Sequence, residues 1–383
     1  MEKVPAFGYS LTMRAAVATS FGAVAVLLTT TADAFIATAT GAGRTSFVNP
    51  LSARTWVASG STAEARPGRR WASSRGGGSC VLSMKMDVGP GSYVALVTPM
   101  TLDGQVDEEA LRGLLRWHIE SGTDGIVALG TTGEASVLSS AERELVLDIT
   151  VEEAGGKVPI VAGTSSVNPL VVIEQSLQAE ERGADAVLVV TPAYVKPSQR
   201  GLVEFYTMVA DKGGLPVVLY NVPGRTAVDM ESPAVVELAK HPRIIGLKDA
   251  TGELSRIREL KGACPEGFLF YSGDDATGME YLLNGGDGLI SVTADVAPRE
   301  IAELVKACEG GDRLAAEAIN AKVIELHSKL FVQGNPVTVK YALARMGKIR
   351  NTLRVPLVPM EAQYTAEVDR ALESAGLLSP SRL

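Results

Sequence analysis

The sequence predicts an α/β protein: a closed (β/α)8 TIM barrel followed by a C-terminal helical extension. Three observations predict it. Short runs rich in β-branched and apolar residues recur at even spacing between Tyr93 and Val292. Between them, apolar residues follow the i, i+3, i+4 rhythm of helices with one buried face. The runs themselves are apolar almost without alternation, so both of their faces are covered, as in a parallel sheet wrapped by helices. With 383 residues, 46% of them hydrophobic and 21% charged, the chain can bury a large core. Length alone suggests two domains, but a barrel of about 250 residues is a standard exception.

Taken in order, the strand candidates are Tyr93–Thr98, Gly125–Leu129, Pro159–Ala162, Ala186–Thr191, Pro216–Asn221, Ile244–Lys248, Phe268–Ser272 and Gly288–Val292. Between the first two, Leu111, Leu114, Leu115, His118 and Ile119 mark the apolar face of a helix. Asp107 there, and Ser139 in the next unit, are the N-cap candidates, since a short oxygen-bearing side chain can accept from the free N–H groups of the first turn. A doubly wound open sheet is the competing fold. The even spacing and the absence of a G-x-G-x-x-G turn count against it. The barrel is placed at residues 88–310. The extension, 311–383, has one amphipathic helix around Leu314–Leu330 and another ending before Gly376.

The start of the chain differs from the rest. Residues 1–83 hold three acids, Glu2, Asp33 and Glu64, against eight basic residues. The chain's net charge of −8 therefore divides into +5 there and −13 beyond. An acidic globule repels nucleic acid and anionic membrane, so neither is an expected partner. Lys3 and Arg14 precede an apolar stretch from Ala15 to Leu28, then Ala32-Asp33-Ala34 and Phe35. A positive flank, a short apolar region and an A-x-A site make residues 1–34 a signal peptide; a membrane anchor needs about 20 apolar residues. Residues 35–83 are rich in Arg, Ser, Ala and Gly, with Glu64 as their one acid, a transit-like presequence. The pair resembles the bipartite leader of algae with secondary plastids, which implies delivery to the plastid stroma and a mature start near Met84 or Met86; an ordinary disordered N-terminal extension is the alternative. Beyond Cys80 only Cys264 and Cys308 remain, without C-x-x-C spacing, so neither a disulfide framework nor a zinc site is expected. His118, His241 and His327 are too dispersed for a metal motif, and His118 beside Trp117 reads as packing.

In such a barrel the site forms at the carboxyl ends of the strands. Those ends read Gly130-Thr131-Thr132-Gly133-Glu134, Thr164, Thr191-Pro192-Ala193-Tyr194, Tyr220-Asn221, Lys248, Gly273-Asp274-Asp275 and Ser291-Val292-Thr293. Lys248 closes an apolar run, a costly place for an ammonium group. It can be an ion-paired structural residue, a carboxylate or phosphate anchor, or a Schiff-base nucleophile. Only the neutral amine attacks a ketone, and burial favours that form. Tyr220 ends the neighbouring strand and is placed to shuttle protons, although buried tyrosines are more often core residues. The glycines around Thr131 and Thr132 allow a sharp turn with N–H groups free for a small carboxylate, or an ordinary βα turn. Arg225 can fork a carboxylate or lie solvated.

Together the segments "VALVTPM", "GTTGE", "VTPAYVKPSQ", "LYNVPGRT", "GLKDATG", "SGDDA", "LISVTADV" and "KLFVQGNPVTVK" resemble the dihydrodipicolinate synthase family. These are pyruvate-dependent class I aldolases of the N-acetylneuraminate lyase superfamily, active in lysine biosynthesis by the diaminopimelate route. The likeness runs from about Tyr93 to Leu377. It implies that Lys248 forms an imine with pyruvate and that Tyr220 is the proton donor and acceptor, linked through Thr131 to Tyr194. It also implies that Tyr194 crosses a dimer interface, so that a homodimer, usually paired into a homotetramer, is needed. Thr132 would hold the pyruvate carboxylate, with Gly273 and the backbone at Ile290 facing the substrate. Arg225 would take the carboxylate of L-aspartate 4-semialdehyde. No metal or organic cofactor is implied. Sialic-acid lyases of the superfamily generally carry serine at the Thr131 position and lack the arginine.

The chain departs from the family where lysine-inhibited members bind the inhibitor. It has Ala193, Val167, Val171 and Ser140 where a tyrosine, an asparagine, a glutamate and a His or Trp are common, and Arg143 where a further histidine is common. A lost charge-assisted bond weakens binding by roughly 1.5–3 kcal/mol. Lysine feedback is therefore expected to be weak or absent. Half-inhibition at micromolar lysine, with pyruvate saturating, would contradict that.

Overall fold

The computed structural model describes residues 17–19, 24–29, 34–40, 44–47 and 85–379. The chain divides into two units, Met1–Gly78 and Ser79–Leu383. In the first, four short strands, Val17–Thr19, Val24–Thr29, Ala34–Thr40 and Arg44–Phe47, pair consecutively as an antiparallel sheet. The signal and transit-like segments expected over 1–34 and 35–83 otherwise lie outside the described residues.

The second unit is a closed barrel. Its parallel strands are β1 (Gly91–Ala95), β2 (Gly125–Ala128), β3 (Ile160–Gly163), β4 (Ala186–Val190), β5 (Val217–Asn221), β6 (Ile244–Asp249), β7 (Leu269–Ser272) and β8 (Gly288–Ser291), and β8 pairs with β1. The helices that follow them are α1 (Glu108–Ser121), α2 (Ser140–Ala154), α3 (Pro169–Arg182), α4 (Gln199–Lys212), α5 (Ser232–Leu238), α6 (Leu254–Ala263), α7 (Gly278–Leu283) and α8 (Pro298–Glu309). The extension adds α9 (Arg313–Lys329), α10 (Val337–Arg345) and α11 (Thr365–Ser374). Among the described residues no helix is long and apolar enough to cross a membrane.

Local chemistry sets these boundaries. Asp107 accepts from Ala110 N–H at the head of α1, while Ser139 and Glu142 form a reciprocal capping box at α2. Leu111, Leu114, Leu115 and His118 are the buried face of α1. His118 is a neutral core residue: burial pushes its pKa down to about 3, and its Nδ1 lies 3.3 Å from Thr123 Oγ1.

Four strands, β1, β2, β4 and β8, stop before the ends expected of them, and at β1 and β8 the reason is the same. Leu96 N–H still bonds to β2, at Val127, but Val97 N–H donates to the side chain of Asp295 (3.1 Å). At β8, Val292 N–H donates to Asp275 Oδ2 (3.0 Å). In both places a buried carboxylate captures the next backbone donor and ends the ladder. At the opposite end of the barrel, Tyr93 and Tyr271 meet edge to face with ring centroids 5.3 Å apart. Both of their hydroxyls donate to Gly89 C=O, closing the floor beneath the core.

Candidate active site

The carboxyl ends of the strands surround a cavity of about 660 Å³ whose lining includes Thr131, Thr132, Tyr220, Arg225, Lys248, Gly273 and Asn335. Lys248 enters it from β6, between Tyr220 of β5 and Tyr271 of β7 in the strand register. It is 5% exposed. Its Nζ lies 4.5 Å from the centroid of the Tyr220 ring, and no carboxylate pairs with it among the described residues. Burial pulls its pKa down to about 8. Asp275 opposes that shift, Arg225 adds to it, and Asp295 opposes it more weakly. At pH 7 about a tenth of such an amine is neutral, against about four in ten thousand at the ordinary lysine value of about 10.4.

Gly273 leaves room for the lysine stem. A Cβ there would sit 2.7 Å from Lys248 Cε, so any side chain would displace the amine. Tyr220 is also buried, and burial raises its phenol pKa, with Arg225 and the Thr131 hydroxyl acting the other way. Burial thus keeps the phenol protonated and raises the share of neutral amine beside it.

The turn after β2 is anchored on all sides. Leu129 and Glu134 both adopt left-handed backbone, with φ of 58° and 53°. Such conformations persist only where surrounding contacts enforce them. Thr98 Oγ1 donates to Gly133 C=O (2.7 Å). The fully buried Lys340 of α10 donates to Glu134 Oε1 (2.5 Å) and to Thr98 C=O (2.9 Å). Thr132 is buried, and its Oγ1 accepts from Asn335 Nδ2 (2.8 Å). Arg225, on the turn Pro223–Thr226, donates to the Asn335 carbonyl (3.4 Å) and has no carboxylate partner among the described residues.

Of the residues singled out from the sequence, the structure gathers Lys248, Tyr220, Thr131, Thr132, Arg225 and Gly273 around one cavity. Ile290 is buried within β8, and on that side the lining residue is Val292. Tyr194 is not brought to the site within one chain. It is 91% exposed, on left-handed backbone (φ 72°). Val167, Val171 and Ala193 line the outer part of the cavity beside Arg143, whose guanidinium donates to Gly163 C=O (2.7 Å) and Gln175 Oε1 (3.2 Å). Sequence reading assigned no role to Asn335 or Lys340. Lys340 carries the same signal as Lys248, a lysine in an apolar run, here Val337-Thr338-Val339-Lys340-Tyr341-Ala342-Leu343. Asn335, in Gly334-Asn335-Pro336, has only the signature of a turn.

A buried, unpaired amine with a pKa near 8, beside a protonated phenol, can add to a carbonyl and lose water. The hydroxyl of Thr132 and the guanidinium of Arg225 offer two separate carboxylate contacts on the same wall.

The family model that matches this chain, over residues 90–375, is the Dihydrodipicolinate synthetase family. A 4-hydroxy-tetrahydrodipicolinate synthase of Methylococcus capsulatus is 49% identical over 288 residues, covering 75% of this chain and 99% of the relative. A chloride-inhibited dihydrodipicolinate synthase from Acinetobacter baumannii, solved in complex with pyruvate, superposes with a TM-score of 0.75 at 45% identity. It covers 76% of this chain and all (100%) of its own. A monomeric dihydrodipicolinate synthase variant gives a TM-score of 0.74 at 35% identity, over 76% of this chain and 98% of its own.

Proposed function

The chain belongs to the Dihydrodipicolinate synthetase family, and from that premise we propose that it condenses pyruvate with L-aspartate 4-semialdehyde to 4-hydroxy-tetrahydrodipicolinate. The observation that carries this reading is Lys248, a desolvated amine without an ion-pair partner among the described residues, facing a cavity also lined by the Tyr220 phenol, the Thr132 hydroxyl and the Arg225 guanidinium.

The neutral Nζ of Lys248 adds to the ketone carbon of pyruvate, whose carboxylate rests on Thr132. Tyr220 delivers a proton to the carbinolamine oxygen, which leaves as water, and an imine remains. Loss of a methyl proton gives the enamine. Its carbon attacks the aldehyde of the second substrate, held by its carboxylate on Arg225, and the aldehyde oxygen takes up a proton. The substrate's own amino group then adds to the imine carbon, closes the ring and displaces Lys248 as the free amine. Protons enter and leave through Tyr220 and Thr131. The exposure of Tyr194 supports a relay completed by a second copy of the chain, in a homodimer or a paired-dimer tetramer.

The test is the intact mass after incubation with pyruvate and borohydride, beside a Lys248→Ala variant. A reduced pyruvyl adduct on the wild type alone is expected. Its absence from both proteins removes the Schiff-base chemistry and, with it, this function.

A further inference from the structure

We propose that Asn335 binds the amino group of the aldehyde substrate through its side-chain oxygen and so selects for an α-amino aldehyde. The inference rests on the reading above and extends it to a residue of the same cavity. Asn335 stands outside the barrel strands, just ahead of α10, yet it touches both carboxylate-binding groups of the site. Its Nδ2 donates to Thr132 Oγ1 at 2.8 Å, and its main-chain carbonyl accepts from Arg225 Nη2 at 3.4 Å. The residue is 7% exposed and lines the cavity. Its Oδ1 is buried and has no hydrogen-bond partner among the described residues.

A buried amide oxygen left unpaired is unfavourable, so a donor arriving with a ligand is favoured there. Pyruvate has no such donor. The aldehyde has one, an ammonium on the carbon that carries its carboxylate. With that carboxylate on Arg225, the ammonium is two bonds away, within reach of the residue that Arg225 itself contacts. The choice of an amide over an acid also suits the later chemistry. The amino group must shed a proton before it can attack the imine carbon. An amide oxygen accepts a hydrogen bond from the charged and the neutral amine alike, whereas a carboxylate would hold the amine charged.

The experiment compares L-aspartate 4-semialdehyde with succinate semialdehyde, the same aldehyde acid without the amino group, in wild type, Asn335→Ala and Asn335→Asp. Asn335→Ala is expected to raise KM for the amino aldehyde about tenfold while the inhibition constant of the deaminated analogue stays put, since about one hydrogen bond to a charged group is lost. Asn335→Asp keeps an acceptor for the amine; the Thr132 hydroxyl can turn to donate to it at the expense of pyruvate, so the comparison is made at saturating pyruvate. Discrimination should therefore survive in that variant while kcat falls. If Asn335→Ala weakens both aldehydes and pyruvate by one common factor, Asn335 merely props Thr132 and Arg225, and the proposal is overturned. Unchanged discrimination in Asn335→Ala overturns it as well. Should Asn335→Ala not fold, the KM-against-kcat split in Asn335→Asp decides, and a KM rise with kcat kept counts against the proposal. A missing borohydride adduct on the wild type signals failure of the underlying function instead, so the two failures are separable.

Discussion

Lys248 is balanced between two influences. Burial lowers its pKa, while the carboxylate of Asp275, pinned by Val292 N–H, Thr293 N–H and the Thr293 hydroxyl, partly restores it. The balance leaves the value at about 8. Adduct formation at low pyruvate should therefore rise with pH and level off above about 8. Asp275→Asn keeps an oxygen for the same backbone donors but removes the charge, so the inflection should move to lower pH. An inflection near the ordinary lysine value, or an upward move in Asp275→Asn, contradicts the assignment. The stability consequence has the opposite sense to that of an ion-paired lysine. Between pH 8 and the unfolded lysine value of about 10.4, the folded chain binds fewer protons than the unfolded one. Stability should therefore climb as pH rises through that window, and the full penalty applies below it. At this scale, the sequence reveals a residue where its type conflicts with its neighbours. An amine after Ile244-Ile245-Gly246-Leu247 stands out, whereas Asn335 between Gly334 and Pro336 looks like any turn, because its role lies in contacts with residues more than a hundred positions away.

The βα turn Gly130–Glu134 shows what an element adds to its residues. Its glycines and threonines suggest an exposed-backbone turn, but not the ion pair beneath it. Lys340 and Glu134 are both fully buried in their side chains, and Arg354 N–H holds the second carboxylate oxygen at 3.0 Å. Burial lowers the Lys340 pKa and Glu134 pulls it back up. Breaking a pair of this kind on one side leaves a buried charge without a partner and costs about 3–5 kcal/mol. Lys340→Met should lower the urea midpoint accordingly and, by loosening the turn that carries Thr132, raise KM for pyruvate. Glu134→Gln combined with Lys340→Met should recover most of the stability. If the double variant is as unstable as the single one, the charge is not what matters at this contact. Strand ends show the same limit. The expected ends overshoot at β1 and β8 because two carboxylates, Asp295 and Asp275, arrive from distant positions to take the next N–H. The barrel itself is legible from local pattern alone, since each of its strands and helices announces its burial through neighbours one to four residues away.

For the whole molecule, the open question is where Tyr194 works. One chain closes the barrel and gathers Lys248, Tyr220, Thr132 and Arg225 around one cavity, yet it leaves Tyr194 facing solvent with Val195, Val167 and Leu170 also exposed. A large phenol on strained, left-handed backbone has no packing reason to be there, whereas a hydroxyl presented to a second copy does. Two defects in different chains should then repair each other. A Lys248→Ala chain supplies an intact Tyr194, and a Tyr194→Phe chain supplies an intact Lys248. When the two are co-expressed, a site made of the intact halves forms only in the mixed dimer. Random pairing puts half of the dimers in that class with one working site of two, so activity should reach about a quarter of wild type. Each variant alone should stay far lower. Activity in the mixture equal to the average of the two parents would mean that Tyr194 serves its own chain or none. Full activity of Tyr194→Phe alone would remove it from the proton path and leave Tyr220 and Thr131 to carry the relay within a single barrel.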